Sequence, residues 1–296
     1  MMHIDKDTPE EAVAEAVRIC STEVVMNLTL SFRMELPATS SGLLSTFREE
    51  AERWQESRRP QSLHLNHGEY MYAHGDWLDS IEGELRRKPS SNRACVSLVN
   101  SAPIFASGDG PLPSFMLVQF GFSGPARDTL YVTSYYRALE VTAFLPLNVT
   151  EMALVAERLA DRFPSIERAE VTMHSFRAHA NHGFRAHQRS KLDMATPTQI
   201  HRWVVDRNYS ELADLLQEKS APASIIEDSG LTILWNEAQS AGWQNELLDE
   251  LERALGLLTA LRTMREVGTH ENRIDSLQRQ LTERLLRCAE MIRHEQ

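Results

Sequence analysis

The sequence predicts an α+β fold: a mixed sheet of roughly five to seven strands packed with helices, followed by a helical C-terminal extension. Two features point to the sheet. Short β-rich runs at Phe115 to Phe122 and Thr129 to Tyr136 flank the turn signal Ser123-Gly124-Pro125-Ala126, and amphipathic helical stretches lie between the strand-like runs rather than after them. The third feature is a change of character near residue 195, beyond which turn signals thin out and helical spacing dominates.

In chain order, Ala12, Val13, Ala16, Val17 and Cys20 carry helical spacing over residues 9–20, and Thr8 before Pro9 is a helix start. Val24 to Leu36 alternates as a strand that Pro37 ends. Residues 43–57 form a short amphipathic helix. Asp79 to Arg87 is a helix stopped by Lys88-Pro89, because the residue before proline is pushed out of the α region. Ala94 to Val99 is a short β-rich run, and Ser101 to Leu112 is loop. Glu151 to Phe163 is the clearest helix, with Met152, Val155, Leu159 and Phe163 on one face, and Val171 to His174 is a further strand. Two stripes follow: Leu247, Leu251, Leu255, Leu258 and Leu261, then, after Gly268, Ile274, Leu277, Leu281, Leu285, Cys288 and Ile292. A helical hairpin or a coiled coil satisfies both. The expected division is residues 1–195 and 196–296, with 244–296 a surface for assembly or for a protein partner.

Composition narrows the function. Lys plus Arg is 31 and Asp plus Glu is 42, a formal charge of −11. A net acidic chain without a basic run is a poor candidate for sequence-independent nucleic-acid binding, which draws its affinity from phosphate neutralisation. A few arginines still suffice for one phosphate. The cysteines Cys20, Cys95 and Cys288 are far apart and lack metal-ligand spacing, so no disulfide framework is expected, and Cys95 on its strand is expected to be buried. Residues 1–7 lack a basic region followed by an apolar one, and no apolar run reaches the roughly 18 residues of a membrane span. The expectation is a cytoplasmic protein with no membrane association.

The segment Tyr136-Arg137-Ala138-Leu139-Glu140 through Leu145-Pro146-Leu147-Asn148 puts an arginine at a strand end and an asparagine eleven positions later, ahead of a long helix. A guanidinium offers a planar fork to phosphate, and a carboxamide both donates to and accepts from one edge of a base. Alone, that combination recurs by chance. Together with Pro113-Ser114-Phe115 and Gln119-Phe120, Pro89-Ser90-Ser91-Asn92-Arg93, and Thr172 to His179, it resembles the thymidylate synthase family in order and spacing. The resemblance covers roughly residues 70–185, with a weaker echo at Val24 to Leu36.

The resemblance implies a sheet-to-sheet homodimer binding a pyrimidine nucleoside monophosphate. Arg137 would hold the phosphate, joined by Arg93 from the neighbouring subunit. Asn148 would read the base edge, with Gln119 near the pocket. His179 would hold the sugar at a family histidine position, and Asn181 stands where the family has tyrosine. An alternative register sets Asn181 and His182 on another Asn-His pair.

Departures from the family pattern bear on the chemistry. Ser114 occupies the place of the nucleophilic cysteine, and its oxygen would need a base beside it. Phe115 replaces the adjacent histidine. Asn92-Arg93 has one positive charge fewer than the family's arginine pair, and Arg177 could compensate. Glu140 replaces aspartate, Phe144 stands where glycine would admit the folate, and residues near Gln296 do not resemble the segment that closes over it. Methylenetetrahydrofolate is therefore expected only if the family reaction is retained. Three functions stay open: a nucleotide-binding sensor, regulator or scaffold without methyl transfer; an enzyme using Ser114 or an activated water; and a structural oligomer that binds no nucleotide. A metal site among His174, His179, His182 and His187 is disfavoured by irregular spacing. Tyr70, Tyr72, His74, Gly75 and Trp77 are expected to pack in the core or wall the pocket, and no hydrolase nucleophile elbow is present.

Overall fold

The computed structural model describes residues 2–38, 42–60, 62–63, 65–99, 112–123, 126–181, 189–223, 225–267 and 271–294. They fall into two compact units. One holds the described residues up to Pro60 together with 65–99 and 112–181; the other holds residues 62–63 and 189–294. The expected loop after Ser101 and the residues Gly124, Pro125, His182, His187 and Gly268 lie outside the described residues.

The first unit is α+β, with seven strands among the described residues. It begins with β1 (Met2–Asp5), α1 (Pro9–Cys20) and β2 (Val25–Glu35), then α2 (Gly42–Trp54), α3 (His67–Met71) and α4 (Trp77–Arg87). It continues with β3 (Cys95–Ser97), β4 (Phe115–Phe122), β5 (Thr129–Tyr136), β6 (Leu139–Glu140), α5 (Phe144–Arg162) and β7 (Arg168–His179). The open sheet runs β1-β2-β7-β5-β4-β3, with β6 also paired to β7. It is mixed: β1 lies parallel to β2, β5 and β6 lie parallel to β7, and the remaining pairs are antiparallel.

Local chemistry accounts for these elements. Thr8 caps α1 by accepting from the Glu11 N–H at 3.3 Å, and Pro9 stands in the first turn, where no intrahelical donor is needed. Alternation sends Leu28, Leu30, Phe32, Val118, Phe120, Leu130, Val132, Val171 and Met173 into one core with α5 residues Leu145, Met152, Val155 and Leu159. The opposite face carries Thr133, Tyr135, Tyr131, His174 and Phe176, all half-buried or exposed.

Several boundaries differ from the sequence reading. The helix expected from Glu151 begins at Phe144, because Pro146 falls in its first turn, where proline lacks nothing the helix uses. The strand expected over Val171 to His174 extends over Arg168–His179, since it pairs with β2 on one side and β5 on the other. Cys95, expected to be buried, is exposed: β3 is an edge strand whose alternation turns Val96 inward and Cys95 and Ser97 outward.

The second unit is helical. It comprises α6 (Lys191–Met194), α7 (Pro197–Val205), α8 (Tyr209–Lys219), α9 (Ser229–Ser240), α10 (Asn245–Val267) and α11 (Glu271–His294). Leu247, Leu251, Leu258 and Leu261 of α10 share a core with Leu281, Leu285, Cys288 and Ile292 of α11 and with Leu212 and Leu216 of α8. Both leucine stripes therefore have partners within the chain. Thr196 and Gln199 form a reciprocal capping box at the start of α7. Under α6, Lys219 donates to the Asp193 carboxylate and, at 2.8 Å, to the Glu227 carbonyl, while Asp193 also accepts from the Gly230 N–H at 3.0 Å. Among the described residues no helix is long and apolar enough to cross a membrane.

Candidate functional site

The register of the central strands makes one corner of the sheet irregular. β5 pairs with β7 up to Tyr136↔Ser175, and β6 resumes the same register at Leu139↔Ala178. Between them Arg137 and Ala138 leave the ladder. On the other side of β5 the β4 register shifts between Phe115 and Leu117, so Met116 is an extra residue in a bulge. The two irregularities meet: the Arg137 N–H donates to the Ser114 carbonyl at 2.9 Å. A break in one strand and a bulge in its neighbour thus juxtapose two residues 23 apart in sequence.

The Arg137 side chain continues the contact, donating from Nε to the Pro113 carbonyl at 3.2 Å and from Nη2 to the Leu112 carbonyl at 2.6 Å. The residue is exposed, and a guanidinium has five N–H donors, so capacity for an anion remains.

Beyond β6, Glu140 organises the entry to α5. Its carboxylate accepts from the N–H groups of Thr142 (2.9 Å), Ala143 (2.7 Å), Phe144 (3.2 Å) and Asn181 (2.9 Å), and from the Thr142 hydroxyl. A carboxylate among the free N–H groups of a helix start is favoured by the helix dipole. His179 pairs with Glu140 across β6 and β7, and its carbonyl accepts from Val141 at 2.9 Å. Asn148 lies one helical turn after Phe144 and is 4% exposed. The Asn148 Oδ1 and His179 Nδ1 atoms are buried without a hydrogen-bond partner among the described residues. Buried polar atoms of this kind call for a partner.

Ser114, Arg137, His179 and Asn181 therefore stand around one end of β5, β6 and β7, and Asn148 is buried in the second turn of α5, the helix that follows β6. Gln119 and Arg93 do not stand there. Gln119 is five residues along β4 from Ser114, about 17 Å at the rise of a strand, and its amide donates to the Asn92 carbonyl at 3.1 Å. With Ser90, Asn92, Gly121, Tyr131 and Thr133 it lines an open groove of about 340 Å³ on the outer sheet face. The Arg93 backbone is tied to Ser91, whose hydroxyl accepts from the Arg93 N–H at 3.2 Å. Arg177 is exposed near the end of β7, one residue from Ala178, which pairs with β6.

A polar cluster beneath the site was not singled out by the sequence. The His67 ring stacks edge-on to Phe115 at 5.2 Å and lies 5.0 Å from the Trp54 ring. Its Nδ1 lies 2.9 Å from both Glu151 carboxylate oxygens. Phe115 stacks on Tyr136 at 4.9 Å and 15°. Burial pushes the Tyr136 phenol well above its ordinary pKa, the Glu151 charge adds to this, and the Ser134 hydroxyl opposes it. Tyr136 is thus a neutral phenol across the physiological range. The signal for Glu151 was present: a carboxylate between Leu147 and Leu154 on the apolar side of a helix needs a buried partner.

Among the described residues no three His, Cys, Asp or Glu side chains converge on a point that could hold a metal ion. His174 instead stacks on Tyr135 at 5.1 Å and meets the Thr29 hydroxyl at 3.1 Å. A scan against known protein families and a search of curated proteins both find no match for this chain.

Proposed function

We propose that the first unit binds a pyrimidine nucleoside monophosphate at the Ser114–Arg137 corner in the manner of thymidylate synthases, without carrying out methyl transfer. The observation that carries this reading is the Arg137 N–H to Ser114 carbonyl bond, which joins the proposed phosphate residue to the position of the missing nucleophile. Asn148 and His179 support it, because each keeps a buried polar atom without a partner among the described residues. In this reading Arg137 takes the phosphate, Asn148 the base edge, and His179 with Asn181 the sugar.

Arg93 and Gln119 fit the reading only through a second copy. Within one chain Gln119 is about 17 Å along β4 from Ser114, and it lines the outer-face groove with exposed Tyr131, while Arg93 is exposed just ahead of the edge strand β3. A homodimer joined through that face would let one protomer's Arg93 approach the other's phosphate site.

The residues fit a folate poorly. All the hydrogen bonds found for the Glu140 carboxylate go to its own backbone turn, to Asn181 and to the Thr142 hydroxyl. Phe144 fills space edge-on to Trp54 at 5.9 Å. Ser114 is flanked by Phe115, whose ring is committed to Tyr136 and His67. A role as sensor, regulator or scaffold follows.

The test is a calorimetric titration with dUMP, UMP and dCMP on the full chain and on Arg137→Ala. Binding of one of them, weakened at least tenfold by the substitution, is expected. No heat from any of the three at millimolar ligand overturns the reading. Tritium release from 5-³H-dUMP with methylenetetrahydrofolate, abolished in Ser114→Ala, would return the enzyme reading to first place.

A further inference from the structure

A second cavity in the first unit, of about 280 Å³, lies along β3, the edge strand of the sheet among the described residues. Its apolar walls include Tyr70, Met71, Trp77, Ile81, Val96 and Leu98. Cys95 to Val99, the whole of β3 with its two following residues, completes the lining. β3 pairs with β4 through Cys95↔Gln119, Val96↔Val118 and Ser97↔Leu117. Flanking bonds run from the Phe120 N–H to the Ala94 carbonyl at 2.8 Å and from the Leu98 N–H to the Met116 carbonyl at 2.9 Å. In an antiparallel ladder hydrogen-bonded and non-bonded pairs alternate, so Ala94, Val96 and Leu98 bond to β4 while Cys95, Ser97 and Val99 turn their polar groups outward.

Two of those outward groups have local partners. The Cys95 N–H donates to the Arg93 carbonyl at 2.8 Å, and the Val99 carbonyl accepts from the Ser97 hydroxyl at 2.7 Å. The Cys95 carbonyl, the Ser97 N–H and carbonyl, and the Val99 N–H point along the edge and have no hydrogen-bond partner among the described residues. They make an acceptor, a donor and acceptor, and a donor in a row on a strand whose neighbours in the lining include the aromatic rings of Tyr70 and Trp77. Trp77 is 3% exposed, and its indole N–H is without a partner among the described residues.

We propose that this cavity is a binding site for an uncharged planar heteroaromatic molecule of one or two rings, held through a donor and an acceptor presented side by side to the β3 edge. Size supports this, since a benzene-sized ligand occupies a cavity of roughly 150 Å³. Charge supports it too, because among the described residues no Lys, Arg, Asp or Glu lines the cavity, and the one imidazole there, His74, belongs to an exposed residue. The edge is three residues long in β3, too short to hold a strand-adding peptide of the usual five or six residues. The site is separate from the Ser114–Arg137 corner and does not depend on its function.

Backbone amide NMR on the ¹⁵N-labelled full chain tests the proposal with three ring probes. 7-Azaindole has adjacent donor and acceptor, indole only the donor, and quinoline only the acceptor. 7-Azaindole is expected to shift the Ser97 and Val99 amides saturably and to bind about tenfold more tightly than either analogue, the effect of one or two neutral hydrogen bonds. Ser97→Pro deletes an outward N–H without touching the ladder and should abolish that advantage. Ala73→Trp, at an exposed residue of the cavity wall, should abolish binding of all three. Equal binding of the three probes, no binding, or shifts remote from β3 would overturn the proposal. So would shifts of these amides by the blocked tripeptide acetyl-Val-Thr-Val-amide but not by 7-azaindole, which would mark strand addition instead.

Discussion

His67 and Glu151 face each other in the core of the first unit, the imidazole Nδ1 2.9 Å from both carboxylate oxygens, with side chains 5% and 0% exposed. The pair joins α3 to α5, and Gln55 reinforces it by donating to the Glu151 carbonyl at 3.0 Å. Its position matters because the His67 ring packs on Phe115, which stacks on Tyr136. Those residues precede Arg137 and follow Ser114. The backbone meeting that forms the candidate site therefore rests on a buried polar contact.

Removing one partner should cost more than removing both. His67→Leu leaves the Glu151 carboxylate buried without its partner, a loss of about 3–5 kcal/mol. The double variant His67→Leu, Glu151→Leu should unfold in urea at a higher midpoint than His67→Leu alone. A double variant as unstable as the sum of the singles would mean that the contact is not a coupled pair.

The close approach of α3 to the end of α2 makes Gly68 a second sensitive point. A Cβ there would lie 2.2 Å from the Glu56 carbonyl oxygen, with Gln55 backbone atoms at 2.4 and 2.5 Å. Gly68→Ala should destabilise by about 1–3 kcal/mol through overpacking. Gly83, inside α4 with nothing within 4 Å of its Cβ position, is the contrast: Gly83→Ala should stabilise by about 0.5–1 kcal/mol. Thermal melts of the two variants should move in opposite directions.

Base choice should follow Asn148 if the nucleotide reading holds. A carboxamide suits the uracil edge, whereas a carboxylate accepts from the cytosine amino group. Asn148→Asp is expected to lower dUMP affinity and to raise that of dCMP relative to it by about tenfold, near the 1.4 kcal/mol of one good hydrogen bond. An unchanged ratio in competition calorimetry would remove Asn148 from the base-reading role.

Local signals were legible and distant meetings were not. Thr8-Pro9, the alternation of β4 and β5, and both leucine stripes act within a few residues, so the sequence displays them directly. β1 is four residues with one buried side chain, Ile4, and exists through its pairing with β2. It offered no periodicity to read. The Arg137 to Ser114 bond depends on a strand break and a bulge in register, features that appear only when strands are aligned. Arg93 and Gln119 carried the same motif-level signal as Ser114 and Arg137, but spacing along the chain says nothing of which end of a strand a residue occupies. His67 and Glu151 lie 84 residues apart, and only the misplaced charge on an apolar helix face hinted at their contact.

Acid sensitivity in the second unit should centre on Glu250, whose side chain is 1% exposed on α10. Burial works against its ionisation. The hydrogen bond from Arg284, at 2.8 Å, and the charges of Arg284, Arg287 and Arg253 outweigh this and hold its carboxyl below the usual pKa. A folded-state pKa below the unfolded one makes the ionised carboxylate stabilising above the unfolded value, near about 4.3. That contribution is lost as pH falls from there through the folded value. Glu250→Gln should therefore lose about 1–3 kcal/mol at pH 7, with a flatter decline in stability between about pH 5 and 3. Urea midpoints read from a signal of the second unit, such as Trp243 fluorescence, provide the measurement. Parallel acid limbs for the two proteins would show that the three arginines do not depend on the Glu250 charge.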